Sequence, residues 1–383
     1  MPDFGKAIHT TLRLQRRLRT ITSSRDSSMR ANRIETLRRR LTSHRLDAFL
    51  VTAIHNIRYL TGFTGSNAIC VVTRREVYFL TDPRYEEQAA HEVSIARVLV
   101  GKGRLFELIA KRSILPGGRI GYESEHLTVS ALTNLRKLFP RTIFAPTAGL
   151  VEEIAALKDE TEREAIRKAV EITDKVFDIV VKRVAPGVRE SEIAAEITYQ
   201  QRMHGAEADA FEPIVASGVQ SAYPHARASN KKIENRDSVV LDFGCRVEGY
   251  HSDLTRTVFV GAVPKQLREI YGVLADAQAA AIEAARPGRT CRRLDGVARR
   301  IIRQAGYGRY FKHSLGHGIG LNVHELPRLS QLSTDTLHRG MVMTIEPGIY
   351  LPALGGVRIE DVVVIDDDHC SVLSQATKDL IVV

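Results

Sequence analysis

The chain has 383 residues, 44% hydrophobic and 26% charged, a globular composition too long for one ordinary core. Its formal net charge of +10 sits at one end: residues 1–45 hold 12 Lys and Arg against 3 Asp and Glu, and the other 338 hold 43 against 42. A neutral body excludes a nucleic-acid-binding face, and no apolar run reaches the ~18 to 20 residues that cross a bilayer. Residues 1–28 are rich in Arg, Ser and Thr and poor in acids. They read as a disordered basic extension or as an upstream start ahead of Met29, with a transit peptide and organellar import as the alternative. Over 33–44, Ile34, Leu37 and Leu41 recur at helical spacing. Strands are predicted at 47–51, 68–72, 77–81 and 119–122, and helices through His91, at 105–111 and at 130–139. Together these form an α/β unit, with 140–149 as the linker that follows it. A long amphipathic helix is predicted over 160–184, stopped by Pro186-Gly187. An internal repeat comes next. Ala185-Pro186-Gly187, a helix and His204-Gly205 recur as Arg286-Pro287-Gly288, a helix and Ala305-Gly306, 101 residues later. The Ala-rich helix at 266–285 is expected on the outside of a sheet. The resulting division is 1–28, 29–150 and 151–383.

Four carboxylates stand out against their surroundings. Asp242, Glu346 and Glu360 lie in apolar, β-branched runs that read as buried strands, and Asp253 opens another. Buried carboxylates need partners. Around the one histidine of Gly316-His317-Gly318-Ile319-Gly320, four of them would repel strongly without cations between them. Two divalent ions neutralise four carboxylates, and one imidazole with four carboxylates suits Mn, Co, Zn or Fe. Spacing supports the grouping. Asp242 and Asp253 flank Glu248-Gly249, a turn signal for a β-hairpin. A turn centred on Val247-Glu248 makes the aspartates directly opposed; a centre one residue later makes them diagonal. Glu346 ends one strand and Glu360 lies on a second beyond the turn at 352–356, with Arg358 on the same face as Glu360. Thr255, two residues after Asp253, is a candidate hydroxyl partner for a ligand. Cys70, Cys245, Cys291 and Cys370 form no CxxC and read as reduced thiols of a cytoplasmic protein, and Cys245 points away from the Asp242 face.

His317 in its glycine-rich run, His324-Glu325-x-Pro327, Glu346-Pro347-Gly348-x-Tyr350 and Arg358-Ile359-Glu360-Asp361 resemble the creatinase/methionine-aminopeptidase, or pita-bread, metallopeptidases. Within them the chain is most similar to the proline-specific branch, over residues 30–383. The resemblance implies an α/β (α+β) protein with an N-terminal creatinase-like lobe that shapes the substrate cleft. It implies a C-terminal pita-bread domain of pseudo-two-fold symmetry. It implies metal ligation by Asp242, Asp253, His317, Glu346 and Glu360, with two divalent ions, manganese first and cobalt or zinc as alternatives. Catalytic roles follow for His225, His324, Glu346 and Arg358. The activity implied is an aminopeptidase that hydrolyses the N-terminal Xaa-Pro bond of short peptides by a metal-bridging hydroxide. The alternatives are a Xaa-Pro dipeptidase, or a non-catalytic peptide-binding relative. Short proline-containing peptides and a second copy of the chain are the implied partners, with no nucleic acid and no membrane.

Overall fold

The computed structural model describes residues 27–383. All but the last two residues of the basic 1–28 stretch lie outside that range. The chain forms two compact units that divide between Ile154 and Ala155.

In the first unit α1 (27–43) buries Ile34, Leu37 and Leu41, the residues whose spacing predicts it. There follow β1 (Ala48–Val51), α2 (Ile54–Thr61), β2 (Ala68–Thr73), β3 (Val77–Thr81), α3 (Glu86–Glu92) and β4 (Arg97–Val100). The unit continues with α4 (Leu105–Lys111), β5 (Arg119–Glu123), α5 (Val129–Leu138) and β6 (Ile143–Thr147). The sheet order is β4-β3-β2-β1-β5-β6. The expected linker at 140–149 is therefore partly wrong, because it contains β6. Phe144 and Ala145 are buried, and β6 pairs parallel with β5. Pro146 is tolerated because β6 is an edge strand, where one missing N–H costs nothing in the ladder. The sequence reading also missed α2. Its start is held by buried Glu123, which accepts hydrogen bonds from Thr52 N, Ala53 N and the Asn56 side chain at 2.6–2.7 Å.

After α6 (Glu152–Ala155), the second unit opens with α7 (Glu160–Val180), capped reciprocally by Asp159 and Glu162. The last turn of the helix predicted to reach 184 is 3-10. Then come α8 (Glu190–Met203), β7 (Ala208–Asp209), β8 (Ile214–Ser217), β9 (Ser238–Phe243), β10 (Cys245–Val247), β11 (Tyr250–His251) and β12 (Leu254–Phe259). The second half has α9 (Lys265–Ala284), α10 (Cys291–Gln304), β13 (Gly316–Gly318), β14 (Glu325–Leu329), β15 (Val342–Ile345) and β16 (Gly348–Leu351). It ends with β17 (Gly355–Arg358), β18 (Asp361–Ile365), β19 (Cys370–Val372) and β20 (Ile381–Val382). Helices α8 and α10 are offset by 101 residues at both ends, as the sequence repeat predicts. Each is followed by a glycine in the left-handed region, Gly205 at φ 99° and Gly306 at φ 87°, where a side chain would be strained.

Each half packs helices on one face of a sheet. Val239, Leu241, Phe243, Leu254 and Val258 pack with α7 and α8. Ile345, Ile349, Val357, Ile359 and Val363 pack with α9 and α10. Side chains alternate along a strand. So Asp242, Asp253 and Thr255 in the first half, and Thr344, Glu346, Arg358 and Glu360 in the second, are turned to the other face. Arg256 breaks this rule from beneath. It is 1% exposed, and pairs with Asp361 at 2.7 Å while donating to the carbonyls of Ala376 and Thr377. It thereby ties both hairpins to the C-terminal stretch, which also adds β20 alongside β12.

Candidate metal centre

The first hairpin turns at Glu248-Gly249, with φ of 51° and 85°. Thr255 is thus the residue opposite Asp242, and the two aspartates are diagonal neighbours, the second of the two registers open from sequence. In the second hairpin, Glu346 and Glu360 do not lie inside strands as expected. They face each other in the breaks between β15 and β16 and between β17 and β18, because Pro347 cannot continue the ladder. The break leaves both carboxylates at the junction of two sheets.

Ligand atoms of Asp253, His317 and Glu360 lie within 4.8 Å of one another. His317 Nε2 is 3.7 Å from Asp253 Oδ2 and 3.5 Å from Glu346 Oε1. Asp242 joins from the side, paired with Arg358. The Thr255 hydroxyl donates to Glu360 Oε2 at 2.6 Å, the contact foreseen for it, and receives Arg358 Nε at 3.0 Å. Cys245 is turned to α7, 3.7 Å from the Thr173 hydroxyl.

The electrostatics are those of a cage built around positive charge. Burial, then the charges of Glu360, Asp242 and Glu346, push the Asp253 carboxyl well above its ordinary range. Burial and Glu360 do the same to Glu346. Burial and Asp242 push Glu360 up to about 8. Burial raises Asp242 as well, against the pull of Arg358. Burial and neighbouring His324 lower His317 to about 4, so it is neutral at pH 7. Its Nδ1 faces the Gly318 carbonyl at 3.1 Å, which can only accept, so Nδ1 carries the proton. The Nε2 lone pair therefore faces carboxylate oxygens. Lone pair against lone pair is unfavourable unless a cation lies between, and a carbonyl fixing the far nitrogen is the usual support of a metal-ligating histidine. Asp242 Oδ1 and Asp253 Oδ1 are buried with no hydrogen-bond partner among the described residues, which costs about 1–3 kcal/mol each if nothing is bound. The residues thus fit divalent ions.

Of the other predicted residues, His324 stacks edge-on against His317, with ring centroids 4.3 Å apart. His225 is exposed and close enough to influence Asp242 and His324 electrostatically. Three further residues escaped the sequence reading. Arg358 Nη1 donates to the Tyr350 hydroxyl at 2.7 Å, and that hydroxyl bonds His313 Nε2 at 2.9 Å. His313 Nδ1 faces the Ser314 carbonyl, so Nε2 is the acceptor and the chain of donors runs from Arg358 through Tyr350 to His313. Arg328 lies opposite His317 in register and shares its face. Tyr350 closes the Glu346-Pro347-Gly348-x-Tyr350 motif and His313 lies four residues before His317, whereas nothing in the sequence marks Arg328.

Residues 164–367 match metallopeptidase family M24, and residues 33–154 match the creatinase/prolidase N-terminal domain. A Xaa-Pro dipeptidase of Pyrococcus furiosus is 38% identical over 91% of this chain and 99% of its own length. The structure of a Xaa-Pro dipeptidase from Bacillus anthracis is 37% identical with a TM-score of 0.90, covering 92% of this chain and 100% of that one. The structure of an X-Pro aminopeptidase from Thermotoga maritima is 38% identical with a TM-score of 0.82, covering 88% and 97%.

Proposed function

This chain belongs to metallopeptidase family M24, and on that premise we propose that it is a Xaa-Pro dipeptidase whose Asp242, Asp253, His317, Glu346 and Glu360 hold two divalent cations, manganese first. The observation that carries the reading is the neutral His317 lone pair aimed into buried carboxylates, two of whose oxygens are orphaned. The relatives named Xaa-Pro dipeptidase favour this over the aminopeptidase put first from sequence, although the Thermotoga relative keeps that second reading in play.

Bound divalent cations supply Lewis acidity towards the scissile carbonyl and a water acidified towards neutral pH. The rest falls to the protein. An Xaa-Pro bond has no N–H, so the site cannot grip the peptide through that donor and must deliver a proton to the departing proline nitrogen. Glu346, whose carboxylate lies 3.5 Å from His317 Nε2 at the centre of the site, is the proposed carrier of that proton. His324, packed edge-on against His317, and His225 are the proposed donors to the developing oxyanion. Arg358 holds Asp242 and Tyr350 in one hydrogen-bonded frame. A dipeptide also places a free carboxylate one residue beyond the cleaved bond. Arg328 and His313 line a cavity of about 450 Å³ suited to proline and that carboxylate. We include in the proposal a homodimer in the cytoplasm, where the four free thiols would stay reduced.

The test is kcat/KM of manganese-loaded protein on Ala-Pro, Ala-Pro-Ala, Met-Ala-Ala and creatine. Ala-Pro should be preferred, with Ala-Ala markedly slower. Preference for Ala-Pro-Ala would restore the aminopeptidase reading. Preference for Met-Ala-Ala, turnover of creatine alone, or the absence of bound metal would overturn both. Sedimentation at micromolar concentration decides the dimer.

A further inference from the structure

Bonded to the backbone of the His313 segment is an ion pair to which the mechanism above gives no role. Asp295 and Arg299 are one turn apart on α10, and Asp295 is 0% exposed. Arg299 grips it with two parallel bonds, Nε to Oδ2 at 2.7 Å and Nη2 to Oδ1 at 2.8 Å. The guanidinium does not stop there. Nη1 donates to the Phe311 carbonyl at 3.0 Å and Nη2 to the His313 carbonyl at 2.9 Å. Its plane lies 4.1 Å over the Phe311 ring, and that ring meets the His313 imidazole edge-on at 5.1 Å. Asp295 Oδ1 also accepts from Leu315 N at 3.2 Å, and the Leu315 carbonyl accepts the Glu346 N–H at 2.8 Å.

We propose that the Asp295–Arg299 pair is a positioning device, which sets the segment 311–315 and through it the His313 ring and the Glu346 backbone. The pair stands one turn apart on α10 and touches three backbone groups in five residues. A planar fork that meets a carboxylate and two carbonyls at once is something Arg offers and Lys does not. Asp295 does not line the cavity of Arg328 and His313, and Arg299, which does, has its guanidinium engaged by Asp295 and the two carbonyls. Their effect is on where His313 Nε2 and Glu346 stand, and misplacements of about 1 Å can cost ~100-fold in rate.

The inference rests on the dipeptidase reading only for its activity measurement, so the experiment has two arms. In the first, Arg299→Lys in manganese-loaded protein should lower kcat/KM on Ala-Pro about tenfold, with melting temperature and bound metal unchanged. In a His313→Ala background the same change should cost less than about twofold, since partners acting as a unit are non-additive. In the second arm, hydrogen exchange of 311–315 should quicken in Arg299→Lys and in Asp295→Asn, with β9 unaffected. Additive losses in the cycle, loss of bound metal with the activity, or unchanged exchange of 311–315 would overturn the proposal. A wild type inactive on every Xaa-Pro peptide would overturn the functional reading instead, and the exchange arm would still decide this one.

Discussion

The two halves of the second unit solve the same problem with the same parts. Each sets a helix ending in a left-handed glycine beside a hairpin that contributes two carboxylates. They differ in everything else near the centre. The first half adds Thr255 and exposed His225, whereas the second adds His313, His317, His324, Arg328, Tyr350 and Arg358. In the proposed reading the repeated carboxylates hold the cations, His317 joins them from one half alone, and the other unrepeated residues handle the peptide. A duplicated frame suffices for a cage of carboxylates, but a substrate has two different ends and needs an asymmetric wall.

If that division is right, the deepest losses come from the repeated residues. Asp253→Asn should cost more than ~100-fold in kcat and about one metal equivalent, read by elemental analysis, with the fold kept. Glu360→Gln, from the other half, should do the same. Unequal losses of metal would break the comparison. Next come the unrepeated residues: His324→Ala should cost about 100-fold in kcat while metal content holds. Metal loss equal to that of Asp253→Asn would place His324 with the cage.

The cage was legible before the fold because a carboxylate in a β-branched run is a local anomaly, and Asp242, Glu346 and Glu360 each show it. The wall was not. Tyr350 earns its place through a hairpin register that sets Gly348 opposite Arg358, and His313 through contacts with Arg299 and Tyr350 that no window of sequence contains. The strand β6 was hidden by its own proline, Pro146, which edge position excuses. The true register of the first hairpin depended on one residue of turn placement, and a one-residue shift decides whether Asp253 or Thr255 stands opposite Asp242.

A smaller effect separates substrates. Arg328→Gln should raise KM for Ala-Pro about tenfold, the value of a charge-assisted hydrogen bond, and leave Ala-Pro-Ala nearly unchanged. An equal rise for both would remove Arg328 from carboxylate recognition. The smallest effect is on stability, and it concerns the cage with its cations stripped. Glu360 has its carboxyl raised from 4.5 to about 8. A raised carboxyl favours the folded state fully below the lower value and loses that contribution as pH climbs through the higher one. Chelated protein should therefore melt progressively lower as pH rises from 4.5 to about 8 relative to manganese-loaded protein. A gap that stays constant with pH would mean that the carboxylates do not share one charge balance.

The buried Arg256 has a consequence in time as well as in space. It reaches 121 residues along the sequence to the carbonyl of Thr377, and Arg358 reaches 116 back to Asp242. Contacts of such separation form late, since the chain between must be ordered first. A nascent chain still lacking residues 376 and 377 already holds all five proposed ligands, but Arg256, buried beneath both hairpins, lacks two of its carbonyl acceptors. Peptidase activity should thus switch on in one step at the end of folding, with no partly active species before it.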